Sequence, residues 1–123
     1  MFEKLGGNAG ISKIVEDFYH IMETDPLAQD CHATHRGRDL KNSAEKLKAF
    51  LSGWTGGPQL YLEKYGHPRL RMRHAPFSIT KTEAAQWLYC MREALGRTQL
   101  TIQEQAQILK AFENVTTMLI NRE

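Results

Sequence analysis

The sequence predicts an all-α fold on three grounds. Apolar residues recur at helical spacing in nearly every segment, two Thr-x-x-Glu helix starts stand late in the chain, and no stretch alternates with the period of a strand. Four long helices, over residues 8–24, 40–54, 81–97 and 101–120, carry most of the apolar side chains.

The first helix shows one continuous stripe, Ile11, Ile14, Val15, Phe18, Tyr19 and Met22. Asn8 is placed to cap it, and Asp25-Pro26 ends it, because a residue before proline resists the helical region. A short turn around Leu27–Cys31 follows, and "HATHRGRD", residues 32–39, reads as loop. Leu40, Ala44, Leu47, Phe50, Leu51 and Trp54 form a second stripe closed by "TGGP". Pro58 suits the first turn of a brief helix through Tyr65, which Gly66 ends. Thr80 with Glu83 reads as a capping box opening a helix through Trp87, Leu88, Met91 and Leu95. Thr101 with Glu104 repeats the device before an apolar face of Ile102, Ala106, Leu109, Phe112, Val115 and Leu119.

A chain of 123 residues is expected to form a single domain, residues 1–123. At 41% hydrophobic and 24% charged, its composition is that of a globular protein rather than a disordered one. Sixteen basic against 14 acidic residues leave a net charge of +2, so no strong overall field argues for nucleic acid as partner. No stretch approaches membrane-spanning length and no leader is evident, so the expected compartment is the cytoplasm. Cys31 and Cys90 fit no zinc spacing and are expected to be reduced and at least half-buried.

The segment "GHPRLRMRHAPF", residues 66–77, concentrates chemistry. Pro68 can open a short helix and Pro76 forbids much helix beyond His74. Leu70 and His74 would then share one face, with Arg69 and Arg73 on another. Three meanings fit an imidazole beside an apolar face bordered by guanidinium groups. It is a solvated charge run with a satisfied histidine, a phosphate or nucleic-acid patch, or a metal ligand whose arginines serve an anionic group on the same cofactor. Haem matches the third description, needing an axial imidazole, an apolar slot and cations for its propionates.

"LGG" at 5–7, "DFYHIMETDP" at 17–26, "EKLKAFLSGWTGGPQLYLEKYGHPRLRMRHAPFSI" at 45–79 and "QWLYCMREAL" at 86–95 occur in an order and spacing that carry a resemblance. Together they resemble the truncated haemoglobins, specifically group II, which has a tryptophan in the helix after the proximal histidine. The resemblance covers nearly the whole chain and implies a two-over-two helical sandwich around haem b (iron protoporphyrin IX).

What the resemblance implies for single residues is specific. His74 matches the proximal ligand of the iron, and a hydrogen bond at its second ring nitrogen would tune its basicity. Tyr19 and Trp87 match two distal hydrogen-bond donors, a phenol O–H and an indole N–H. Phe18, Leu47, Phe50, Leu70 and Ile79 are the apolar walls, and Lys46 and Arg73 face the propionates. His35 is offered as a third polar contact in the distal pocket. Ser43 stands where ordinary globins carry their distal histidine, which leaves that side of the pocket open. The pairs Gly6-Gly7 and Gly56-Gly57 match helix-ending turns of the family.

The function so implied is reversible binding of oxygen or another diatomic gas, nitric oxide or carbon monoxide, at ferrous iron. Such a protein stores or senses oxygen, as a monomer or weak homodimer. The alternative is a haem enzyme for nitric oxide detoxification or peroxide chemistry, with electrons from an external reductase. A third class, a helical interaction module without iron, would use the basic stretch for a partner.

Overall fold

The computed structural model of the chain describes residues 2–35, 40–66 and 79–120, with the side chains of Thr34, His35, Leu40 and Tyr65 outside that description. Helix α1 spans Gly7–Thr24, a 3-10 turn Pro26–Ala28, α2 Gln29–His35, α3 Leu40–Trp54, α4 Leu60–Tyr65, α5 Lys81–Leu95 and α6 Ile102–Leu119. The described residues therefore carry the expected all-α architecture and its four long helices. The short helix expected over Pro68–His74 lies outside the described residues.

Helix α1 is the centre of the fold and packs against both α3 and α5, while α5 also packs on α6, α2 on α5 and α4 on α3. Its expected stripe is buried at Ile11, Ile14, Val15, Phe18 and Met22, and Ile21 joins it. Tyr19 is only half-buried, at the edge of the stripe. The start of α1 differs from expectation. Gly6, not Asn8, is the capping position, in a left-handed conformation (φ 93°) that offers no side-chain cap. The turn is so tight that a Cβ on Gly10 would stand 1.5 Å from the Leu5 carbonyl oxygen. Asn8 therefore falls inside the first helical turn. At the other end Asp25 is extended, as its proline neighbour requires, and its carboxylate accepts from Leu27 N–H at 2.9 Å.

Residues 32–35, expected as loop, are helical. Ala28 and Cys31 are buried against the core, and the Gln86 side chain accepts from Cys31 N–H at 2.7 Å. That bond satisfies one of the donors a helix start leaves open. Seven residues are too few to display a readable helical period, and a tertiary partner on α5 makes up the difference.

Helix α3 ends in a turn held by its own side chains. Ser52, fully buried, donates to the Pro58 carbonyl at 2.7 Å, and Thr55 donates to the Leu51 carbonyl at 2.7 Å. Because Pro58 serves this turn, α4 begins at Leu60, two residues later than expected. The turn also lies under the N-terminal segment, since a Cβ on Gly57 would strike the Phe2 ring at 2.3 Å.

The two Thr-x-x-Glu starts behave differently. Thr101 and Glu104 form the reciprocal box, at 3.1 Å and 3.0 Å. Thr80 instead accepts from Thr82 N–H at 3.2 Å and spends its own hydroxyl proton on the Glu83 carboxylate, so no reciprocal box forms. The buried line of α6 is Ile108, Phe112 and Thr116; of the expected face Phe112 is buried, Leu109, Val115 and Leu119 are half-buried, and Ala106 and Ile102, the latter to 82%, are exposed. Helix α5 covers the line that runs through Phe112 at four-residue spacing, and Ile102 stands at the helix start, beyond that contact.

Gly10→Ala is expected to lower stability by about 1–3 kcal/mol, because the new methyl group must displace backbone rather than a flexible side chain. Chemical denaturation of the variant against the parent protein measures this.

Candidate functional site

Three helices carry the described candidate residues. From α1 come Phe18, completely buried, and Tyr19, half-buried; from α5 comes Trp87, half-buried; from α3 come Leu47 and Phe50, also half-buried. The Phe18 ring meets Tyr19 edge-on at 5.0 Å between centroids and Trp87 at 4.9 Å. These are favourable edge-to-face distances for aromatic rings. Phe18 thus bridges two residues whose side chains each present a polar hydrogen at the end of an apolar body. Trp87 in turn lies 5.1 Å from Phe112 of α6.

The helix beside these rings is fastened by hydrogen bonds that the sequence did not single out. Gln86, next to Trp87, donates to the Asp30 carboxylate at 2.9 Å while accepting from Cys31 N–H, so both ends of its amide hold α2. Tyr89 donates to the Asp25 carboxylate at 2.5 Å, and the Arg92 guanidinium lies over the Tyr89 ring, 5.7 Å from its centroid. The Tyr89 bond, with that from Leu27 N–H, lowers the Asp25 pKa. The same bond pushes Tyr89 up to about 12. Each partner is held in the protonation state that keeps the contact over the neutral range. The only advance sign of these links was composition: amide, carboxylate and phenol groups on helices otherwise read for their apolar stripes.

Cys31 and Cys90 are both buried thiols outside any disulfide, as expected. Desolvation chiefly raises their pKa values, to about 12 and about 11. Burial and a raised pKa both disfavour the reactive thiolate at these positions.

The bacterial-like globin family model matches residues 1–121. The chain belongs to the bacterial-like globin family. It is 40% identical over 94 residues to a group 2 truncated hemoglobin of Bacillus subtilis (strain 168), covering 76% of this chain and 68% of that protein. It superposes with a TM-score of 0.93 and 37% identity on the cold-adapted truncated hemoglobin of the Antarctic marine bacterium Pseudoalteromonas haloplanktis TAC125, over 99% of this chain and 98% of the other. A group II 2-on-2 hemoglobin from the plant pathogen Agrobacterium tumefaciens gives the same TM-score at 36% identity, over 99% and 94% of the two chains. The architecture is therefore the two-on-two helical sandwich, with α1–α3 and α5–α6 as its pairs. Haem b is the cofactor of this globin, and diatomic ligand binding is its general function.

The described residues fit that group chemically. Leu47, Phe50, Tyr19 and Trp87 are half-buried apolar bodies, the kind of side chain that lines a slot for a flat apolar cofactor. Ser43 and Lys46 are half-buried on the same α3 helix, and Ile79 is half-buried just before α5. His35 belongs to α2 rather than to a loop, and its side chain is not described. His74, Leu70 and Arg73 lie outside the described residues. Among those described, no helix of this globin is long and apolar enough to cross a membrane.

Alkylation of the native globin by iodoacetamide is expected to be at least about 100-fold slower at Cys31 and Cys90 than at an unburied cysteine. Two pKa units above the ordinary value remove that fraction of thiolate. Mass spectrometry of the time course, before and after denaturation, measures the ratio.

Proposed function

We propose that residues 1–123 act as one haem domain that binds oxygen and releases it slowly, suiting sensing or chemistry more than bulk transport. When bound, the haem supplies a ferrous centre that takes up a diatomic gas reversibly. His74 would hold the iron through a neutral imidazole nitrogen. Leu47, Phe50, Phe18, Leu70 and Ile79 enclose the cofactor, and Lys46 and Arg73 neutralise its propionates.

The observation that carries this reading is the three-ring contact at Phe18. It holds two hydrogen-bond donors, on two different helices, against one buried anchor. The Tyr19 hydroxyl and the Trp87 indole N–H donate to the partially negative atom of the gas. Donors placed in advance on packed helices need no reorganisation when the ligand arrives. Ser43, with its small side chain, leaves the third side open for entry, and His35 adds a third polar group at the pocket's edge. Electrons to keep the centre ferrous come from an external reductase. The protein works as a monomer or weak homodimer in the cytoplasm, with neither nucleic acid nor membrane as partner.

Absorption spectra of the ferric, ferrous and carbon monoxide forms test the first part. The parent protein is expected to show a Soret band, and His74→Ala to lose the axial nitrogen signature of the ferrous form. An unchanged spectrum in that variant sinks the assignment. For the second part, Tyr19→Phe and Trp87→Phe are each expected to speed oxygen release by about 10- to 100-fold. A hydrogen bond to a charged acceptor contributes about 1.5–3 kcal/mol. Stopped-flow release rates that match the parent protein's would refute the donor roles.

A further inference from the structure

A continuous file of aromatic rings leads from Tyr19 to the protein surface. Tyr19, Phe18, Trp87, Phe112 and Trp54 touch in succession, with centroid separations of 5.0, 4.9, 5.1 and 4.7 Å. Four helices contribute to it: α1, α5, α6 and α3. Its inner members are shielded, Phe18 completely and Phe112 to 3%, whereas Trp54 at the outer end is 37% exposed. Neither Phe112 nor Trp54 is needed to bind a gas.

The two indoles matter because, among uncharged side chains, indole and phenol rings give up an electron most readily. A phenylalanine ring does not become oxidised under the same conditions, but it fills the space between donor and acceptor with dense π matter. Trp87 and Trp54 each touch Phe112, so one ring separates them. Trp54 keeps this orientation because it also stacks on Phe50, 18° from parallel at 6.4 Å. Nearby thiols compete poorly, since Cys31 and Cys90 are buried and protonated.

We propose that Trp87, Phe112 and Trp54 form a relay that carries an oxidising equivalent from the pocket to the surface, where Trp54 oxidises small phenols with hydrogen peroxide as the oxidant. The proposal rests on the haem reading above and extends it to a second activity. Hydrogen peroxide takes up two electrons and two protons in the pocket and leaves as two waters. Each electron is drawn from Trp54 through Trp87. The Trp54 indole radical cation releases its N–H proton to water and is restored by one electron and one proton from a phenol at the surface. Two phenols become two phenoxyl radicals for each peroxide consumed, so atoms and electrons balance.

The test uses the haem-loaded protein, hydrogen peroxide and a nitrone spin trap, with peptide mass spectrometry locating the adduct. The adduct is expected on Trp54 in the parent protein, lost in W54F and restored at position 54 in W54Y, whose ring can again be oxidised. Soret and carbon monoxide spectra like the parent's verify that each variant is folded and loaded. W87F is expected to abolish the Trp54 adduct as well. If the adduct survives W87F, solution radicals attack the exposed indole directly and the relay is wrong. An adduct confined to Tyr19 or Tyr61 in a properly loaded protein also overturns the relay while leaving the haem reading intact. Failure of the chain to develop a Soret band at all overturns both.

Discussion

Burial of one phenylalanine organises this globin. Phe18 is fully buried on the helix that packs against both α3 and α5, and removing so large a side chain from water contributes about 1.5–3 kcal/mol. Its edge contacts to Tyr19 and Trp87 add directional preference to that burial. Successive helical residues point about 100° apart, so driving Phe18 into the core leaves Tyr19 at the margin of the buried stripe. The margin is where a side chain can keep its ring in apolar surroundings while its hydroxyl reaches more polar ones. Core packing therefore fixes where the Tyr19 side chain sits.

Side chain to backbone bonds hold the corners of this fold. Asp25 locks the exit from α1, Ser52 and Thr55 lock the exit from α3, and Gln86 secures α2. Most of these groups are polar side chains that satisfy backbone atoms at or near the ends of helices. Their effect reaches the pocket because Gln86 adjoins Trp87 and Tyr89 lies two residues further along α5. Surface ion pairs add little by comparison: Lys4 meets Glu104 at 2.6 Å, but the lysine is 68% exposed and its charge is screened by water.

The polar and the oxidisable parts of the site overlap in Trp87. In the proposed reading its N–H is the donor towards a gas, and its ring belongs to the aromatic file that ends at Trp54. A protein that holds oxygen by hydrogen bonds and one that passes electrons outward would thus depend on the same side chain for different physical properties. Packing of Trp87 between Phe18 and Phe112 fixes both at once.

Local spacing and covalent stiffness made much of this molecule legible in advance. The stripe of α1, the stop at Asp25-Pro26, the capping box at Thr101 and the four long helices all depend on neighbours within about one or two turns, which the sequence lists directly. The order of the Phe-Tyr, Arg-Met-Arg-His-Ala-Pro-Phe and Gln-Trp motifs was enough to indicate the family. Tertiary structure alone decided the features that need partners distant along the chain. Residues 32–35 became helix because Gln86 reaches Cys31, and Thr80 lost its reciprocal box to a direct contact with Glu83. On α6 the expected Phe112 is buried together with Ile108 and Thr116, which the stripe left out, because the position of α5 selects which residues of that helix are covered. Periodicity reports which residues could face a core; the location of that core is a property of the assembled helices.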